Sequence, residues 1–115
     1  MQKNKKIAKI LLDIGCVNIN FKNPFTLTSG KLSPVYVDCR KMISFPKERE
    51  IITNEMIKQI KYKYNKDIYI AGGETAGIPY AALISQKMKE PMIYIRKQPK
   101  GFGRGKLIEG EFKKN

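Results

Sequence analysis

Near one end the chain reads IRKQPKGFGRGKLIEG, residues 95–110, with Arg96, Lys97, Lys100, Arg104 and Lys106 interleaved with Gly101, Gly103 and Gly105 and no acid before Glu109. Five cations within eleven residues suit an anion: nucleic acid, a small phosphorylated molecule, or only water around a solvated tail. A nucleic-acid element should carry aromatic stacking platforms or a basic helix face. Phe102 is the only ring within residues 96–106, and the glycines argue against a helix. A tail needs no glycine at every second position. A mobile cationic loop that folds over an anionic substrate accommodates both features. On these residues alone the three readings stay open.

Two upstream stretches could share such a task. AGGETAGIP, residues 71–79, sets Gly72, Gly73 and Gly77 between a predicted strand and a predicted helix. Glycines there let the backbone turn tightly and present N–H groups at a helix N-terminus, where an anion is favoured. The stretch is neither GxGxxG nor a Walker A sequence, and a plain strand-to-helix turn reads the same way. TSGKLSPVYVDCRK, residues 28–41, gathers Ser29, Gly30, Lys31, Tyr36, Asp38 and Arg40. It reads either as a polar lip around a small-molecule pocket or as a hairpin with surface charge. Asp38 and Arg40 lie two apart, share one face of a strand, and are expected to form an ion pair.

The elements that must position these residues follow from patterning. Ile7, Ile10, Leu11 and Ile14 keep helical spacing up to Gly15, and CVNINF then alternates as a half-buried strand. NPFTLTSGKLSPVYVDCR reads as short extended segments around a Ser-Gly turn. Ser44 as N-cap, Pro46 in the first turn and early Glu48 and Glu50 open a helix that runs to Tyr64. Its apolar stripe is Ile52, Met56 and Ile60, supported by Ile57 and Tyr64. KDIYIAGG, IPYAALISQKM and PMIYI then spell strand, helix and strand. A unit of that kind, about 30 residues long, is a right-handed crossover in a parallel sheet.

Composition narrows the chemistry. The 115 residues fit one domain at most, divided into an N-terminal helix with short extended segments (1–44), a helix and βαβ core (45–96) and a mobile loop (97–110). Lys and Arg number 23 against 10 acids, for a net charge of +13, which suits a polyanionic partner or equally a coding bias toward Lys, Ile, Asn and Tyr. Histidine is absent, so Ser-His-Asp triads, Cys/His pairs and typical zinc sites are excluded. Cys16 and Cys39 form no CxxC, the basic start has too short an apolar run for a secretory signal, and no run approaches the roughly 18 apolar residues of a membrane helix. A cytoplasmic, reducing location is expected, with no membrane contact.

FTLTSGKLSPVYVDCR, IAGGETAGIPYAA and YIRKQPKGFGRGKLIEG, in this order, resemble the orotate phosphoribosyltransferase family. The resemblance implies an α/β fold of the type I phosphoribosyltransferase kind, a parallel sheet with helices on both faces and a small N-terminal hood. It implies the reaction of orotate with phosphoribosyl pyrophosphate (PRPP), giving orotidine 5′-monophosphate and pyrophosphate in pyrimidine biosynthesis, with Mg2+ carried on the pyrophosphate. Arg96 and Lys97 then bind PRPP phosphates, and Lys100 is the catalytic loop cation that meets the leaving pyrophosphate. Ser29, Gly30 and Lys31 lie near the substrates, and Tyr36 faces orotate. Thr75 and Ala76 stand where relatives carry Tyr-Lys, so that turn contributes mainly backbone. Thr28 replaces a lysine of many relatives. Phe102 stands where histidine is common, so no proton donor at 102 is essential.

The same resemblance implies a homodimer whose loop reaches the neighbouring subunit's site, and no nucleic-acid partner. It also predicts an acidic pair and a Thr/Gly-rich phosphate loop shortly after LIEGEF, which this sequence does not contain. The expectation is therefore an N-terminal portion of a longer enzyme, with little activity alone. The alternatives are a small basic nucleic-acid-binding protein and a non-catalytic phosphoribosyltransferase remnant.

Overall fold

The computed structural model of the chain describes residues 2–99 and 107–113. They fall into two compact units that divide between Glu50 and Ile51. The division lies inside a helix.

In the first unit, α1 (Gln2–Asp13) stops at Gly15, whose φ of +81° is costly for any side-chain-bearing residue. The reversal is closed by the Cys16 N–H donating to the Leu11 carbonyl at 2.8 Å. Four short strands follow where the sequence predicted one alternating strand and two extended segments. β1 (Val17–Ile19) pairs antiparallel with β4 (Val35–Val37), and β2 (Phe25–Thr26) pairs antiparallel with β3 (Leu32–Ser33). The Ser-Gly turn joins β2 to β3, with the Gly30 N–H on the Leu27 carbonyl at 2.8 Å and Gly30 at φ +85°. Buried Cys16 and Met42 anchor this unit.

Patterning did not predict the 3-10 helix at Cys39–Ser44. Asp38 starts it, accepting the Arg40 N–H at 3.1 Å and holding the Arg40 guanidinium through contacts of 2.8 and 3.1 Å. The expected Asp38–Arg40 pair is present, but as a helix cap rather than two residues along a strand. Ser44 is likewise not the N-cap of the next helix: it is the last residue of the 3-10 helix. α2 (Pro46–Lys63) instead begins with Phe45 before Pro46, the Phe45 carbonyl accepting the Arg49 N–H at 2.8 Å.

The second unit holds most of α2 together with β5 (Ile70–Gly73), α3 (Gly77–Met88), β6 (Met92–Ile95) and β7 (Ile108–Glu109). β5 and β6 run parallel, as a crossover through α3 requires. β7 adds an antiparallel edge, pairing Glu109 with Tyr94 and Ile108 with Ile95, so the sheet is mixed. Residues 108–109, expected in the loop, are thus sheet. Ile57 of α2, Ile70 of β5 and Ala81 and Ile84 of α3 form the core, with Ile60, Ile68, Met88 and Met92 packed against it. The buried face of α2 is Ile52, Thr53 and Ile57, whereas Met56 and Tyr64 of the predicted stripe are exposed. These two line an open apolar groove of about 590 Å³ with residues of β5 and α3, reaching Gly72 and Gly73.

Along β5 burial alternates, with Ile70 and Gly72 inside and Ala71 and Gly73 outside. Gly72 permits the close approach of strand and helix: a Cβ there would lie 2.8 Å from both the Ala81 Cβ and the Gly77 carbonyl oxygen. Neither neighbour can retreat without shifting backbone. Gly72→Ala is therefore expected to destabilise this unit by about 2–3 kcal/mol. A Cβ at Gly73 meets nothing within 4 Å, so Gly73→Ala is the matched control and should change stability far less. Denaturant midpoints of the two variants check this.

The Arg40 guanidinium hydrogen-bonded to Asp38 holds that carboxyl below its ordinary range, and the Asp38 pairing raises Arg40 in turn. A carboxyl lowered in the folded state stabilises it above the unfolded-state value, and that contribution fades as pH falls through the lowered one. Asp38→Asn should then be less stable than wild type near neutral pH and converge with it in strong acid. Denaturation of both proteins across an acid pH series tests the sign; a gap that persists undiminished in strong acid would contradict it.

Candidate functional site

The parallel register pairs Gly73 with Ile95, so β5 and β6 end level. What leaves each strand therefore emerges at one edge of the sheet: the turn through Thr75 and Ala76 into α3, and the pair Arg96–Lys97. Crossover sheets place ligand sites at that edge because the strand ends supply loops and helix N-termini together. Glu74 joins the two. Its N–H donates to the Ile95 carbonyl at 2.8 Å, and its carboxylate Oε2 accepts the Lys97 N–H at 2.7 Å.

Thr75 and Ala76 are exposed in the turn, and the Glu74–Thr75 peptide is cis. The Ile78 N–H reaches the Thr75 carbonyl at 3.2 Å. Ala76 occupies the N-cap of α3 and has no side-chain oxygen to offer, so among the described residues this end has no side-chain cap. The first turn of a helix left uncapped keeps N–H donors and the positive end of its dipole available to an anion.

Arg96 is held by its main chain on one side and an acid on the other. Its N–H donates to the Leu107 carbonyl at 2.7 Å, and its Nη1 lies 3.9 Å from Glu109 Oε1 on β7. The Arg96 Nε is enclosed and has no hydrogen-bond partner among the described residues. A buried guanidinium N–H without an acceptor is costly, and a ligand oxygen there would relieve the cost. Lys97 is exposed beside it. The strand ends thus bring together Arg96, Lys97, Thr75 and Ala76, with the carboxylates of Glu74 and Glu109 holding the two cationic residues. Among the described residues no group of three or more His, Cys, Asp or Glu could hold a metal ion. Lys100 and Phe102 lie outside the described residues.

The remaining predicted residues belong to the first unit. Ser29, Gly30 and Lys31 form the exposed tip of the β2–β3 hairpin, where Ser29 Oγ accepts the Lys31 N–H at 3.4 Å. Tyr36 stands on β4 with its ring 5.7 Å from that of Phe25 and tilted by 32°. The ring contact with Phe25 steadies Tyr36 on its strand. Glu74 and Glu109 were missed by sequence reasoning. Their only sequence marks are an acid inside a glycine turn and the first acid after a run of cations, neither of which reveals a partner.

No protein-family model matches the chain. The curated orotate phosphoribosyltransferase of Ruegeria sp. (strain TM1040) is 50% identical over 105 residues, which are 90% of this chain and 46% of that protein. The solved structure of Leishmania donovani UMP synthase superposes with a TM-score of 0.73 at 38% identity, covering 95% of this chain and 22% of that one. Orotate phosphoribosyltransferase from Aeropyrum pernix superposes at 0.66 with 26% identity, covering 78% of this chain and 52% of that one. The chain spans about half the length of the curated relatives it matches. Its fold is the α/β arrangement of type I phosphoribosyltransferases. In sequence and in fold, the chain is similar to orotate phosphoribosyltransferases across about half of their length.

Proposed function

We propose that this chain works as part of an orotate phosphoribosyltransferase, which joins orotate to PRPP and releases orotidine 5′-monophosphate and pyrophosphate. The observation that carries the reading is the level ending of β5 and β6, which presents Arg96, Lys97 and an uncapped helix N-terminus at one sheet edge. The matched relatives and structures favour it over a basic nucleic-acid binder.

In the reaction the bond from the ribosyl carbon to the pyrophosphate oxygen breaks as a ring nitrogen of orotate bonds to that carbon. The pyrophosphate leaves with the bonding electrons and gains negative charge. Cations beside it stabilise the transition state more than the ground state, because the charge they meet is still developing. Arg96 and Lys97 bind the PRPP phosphates, the Thr75–Ala76 turn contributes backbone, and Lys100 meets the departing pyrophosphate. Ser29, Gly30 and Lys31 lie near the substrates and Tyr36 faces orotate. Magnesium enters on the pyrophosphate as part of the substrate. Phe102 supplies no proton, so the acceleration rests on cationic stabilisation. The working unit is a cytoplasmic homodimer that shares the residues 97–110 segment between subunits.

Protein expressed from the complete coding region should consume orotate with magnesium–PRPP and form orotidine 5′-monophosphate and pyrophosphate in equal amounts. Failure to consume orotate, or equal turnover of another base, would overturn the assignment. In that protein Lys100→Ala should cut turnover by roughly 10²-fold or more, the scale of losing one group aimed at developing charge, while orotate affinity changes little. Wild-type turnover in the variant would sink the role given to Lys100.

A further inference from the structure

The parallel ladder between β5 and β6 follows the ordinary alternation, in which each residue of one strand bridges two main-chain groups of the other. The Ile70 N–H donates to the Pro91 carbonyl at 2.9 Å, and the Glu74 N–H to the Ile95 carbonyl at 2.8 Å. The next rung in that pattern runs from the Lys97 N–H to the main-chain carbonyl of Glu74. Instead the Lys97 N–H meets the Glu74 carboxylate, Oε2, at 2.7 Å. The side chain has taken a rung that belongs to the backbone.

This substitution has a mechanical result. The peptide after Glu74 is released from the sheet and can turn toward α3, while Lys97 stays fastened to the same residue. A neutral side chain without an oxygen could not do both. The Lys97 N–H would then have to look to water, since β5 has already turned away. A carboxylate is also the strongest common acceptor for a backbone N–H. Two cations, Arg96 and Lys97, follow the strand that pairs with β5.

We infer that Glu74 is a positioning residue: its carboxylate ties the base of the Arg96–Lys97 segment to the Thr75–Ala76 turn, so that the donors of the two loops meet an anion as one rigid set. The inference rests on the reading of this edge as the pyrophosphate-binding site, although the tie itself does not. Glu74 need not touch the ligand. It acts through Lys97 on one side and the turn on the other.

Amide hydrogen exchange and pyrophosphate titration of the chain test both parts. In wild type the Lys97 amide should be protected, and magnesium pyrophosphate should shift the amides of residues 75–77 and 96–97 with a single Kd. Glu74→Ala should lower Lys97 protection at least about tenfold, the loss of one charge-assisted hydrogen bond, with Ile70 and Ile93 protection unchanged. It should also weaken pyrophosphate about tenfold and make the two sets of amides titrate apart. Glu74→Gln, which keeps an acceptor oxygen, should recover most of both. If Glu74→Ala unfolds, Glu74→Met keeps the side-chain length without the oxygen and should show the same losses. Arg96→Ala should weaken pyrophosphate while leaving Lys97 protection intact.

Unchanged Lys97 protection in the Ala and Met variants overturns the tie. A single unaltered Kd in them overturns the coupling. If wild type itself does not respond to magnesium pyrophosphate, the functional reading fails, and Lys97 exchange alone decides the tie.

Discussion

The second unit is organised by one close contact, the backbone of Gly72 against Ala81 and Gly77 of α3. A helix that crosses between parallel strands must lie on the sheet, and how near it lies fixes where the second strand can start. With no side chain at position 72, α3 seats directly on β5, and the return into β6 puts Met92 opposite Ile70 and Ile95 opposite Gly73. Both strands then finish at the same height. Everything assigned to chemistry in this unit follows from that level finish, because it delivers a helix N-terminus and a cationic segment to one edge. A longer side chain at 72 would tilt or lift the helix, and the two loops would no longer share a ligand.

Charge is spread widely over the chain but organised in few places. Twenty-three cations outnumber ten acids, and most of the lysines are simply solvated. Exposed pairs such as Lys9–Asp13, at 2.6 Å, and Lys58–Glu55, at 3.0 Å, brace single helix turns and contribute little. At the strand ends the acids do something different. Glu74 binds a main-chain N–H, and Glu109 stands 3.9 Å from a guanidinium whose Nε is enclosed without a partner. Both acids hold donors in place, one through a main-chain N–H and one across an ion pair. The contrast separates a built site from background charge better than any count of lysines.

The parts of this architecture that sequence made legible are those where one local signal dominates. Gly15 closes α1, the Ser-Gly turn joins β2 to β3, and the crossover from β5 through α3 to β6 stands where periodicity and glycines put it. Signals failed where two neighbours competed. Ser44 and Pro46 both mark a helix start, but Asp38 caps an earlier 3-10 helix that uses up Ser44 and leaves Phe45 to begin α2. The stripe read on α2 was rotated: its buried face includes Thr53, a residue type that hydropathy discounts, while Met56 and Tyr64 face an open groove. β7 has only two residues and exists by pairing with β6, so no local pattern could announce it. In the candidate site Arg96 and Lys97 were visible as cations. Glu74 was not, because its role depends on a register between strands separated by a whole helix.

Histidine's absence gives the site a definite character. Histidine is the commonest proton carrier of enzyme sites, and this sequence has none. The proposed anion grip of Arg96, Lys97 and the turn before α3 is built without that residue. Selectivity in such a site comes from geometry, meaning how many oxygens the donors can meet at once. That places the weight on rigidity, since loosely held cations attract any anion while fixed ones favour a ligand whose oxygens match their spacing. The short tie at Glu74, the main-chain rung from Arg96 to Leu107 and the direct seating of α3 on Gly72 all serve that end. A fold that spends its scarce acids on holding backbone in place is consistent with chemistry carried by fixed positive charge rather than by proton transfer.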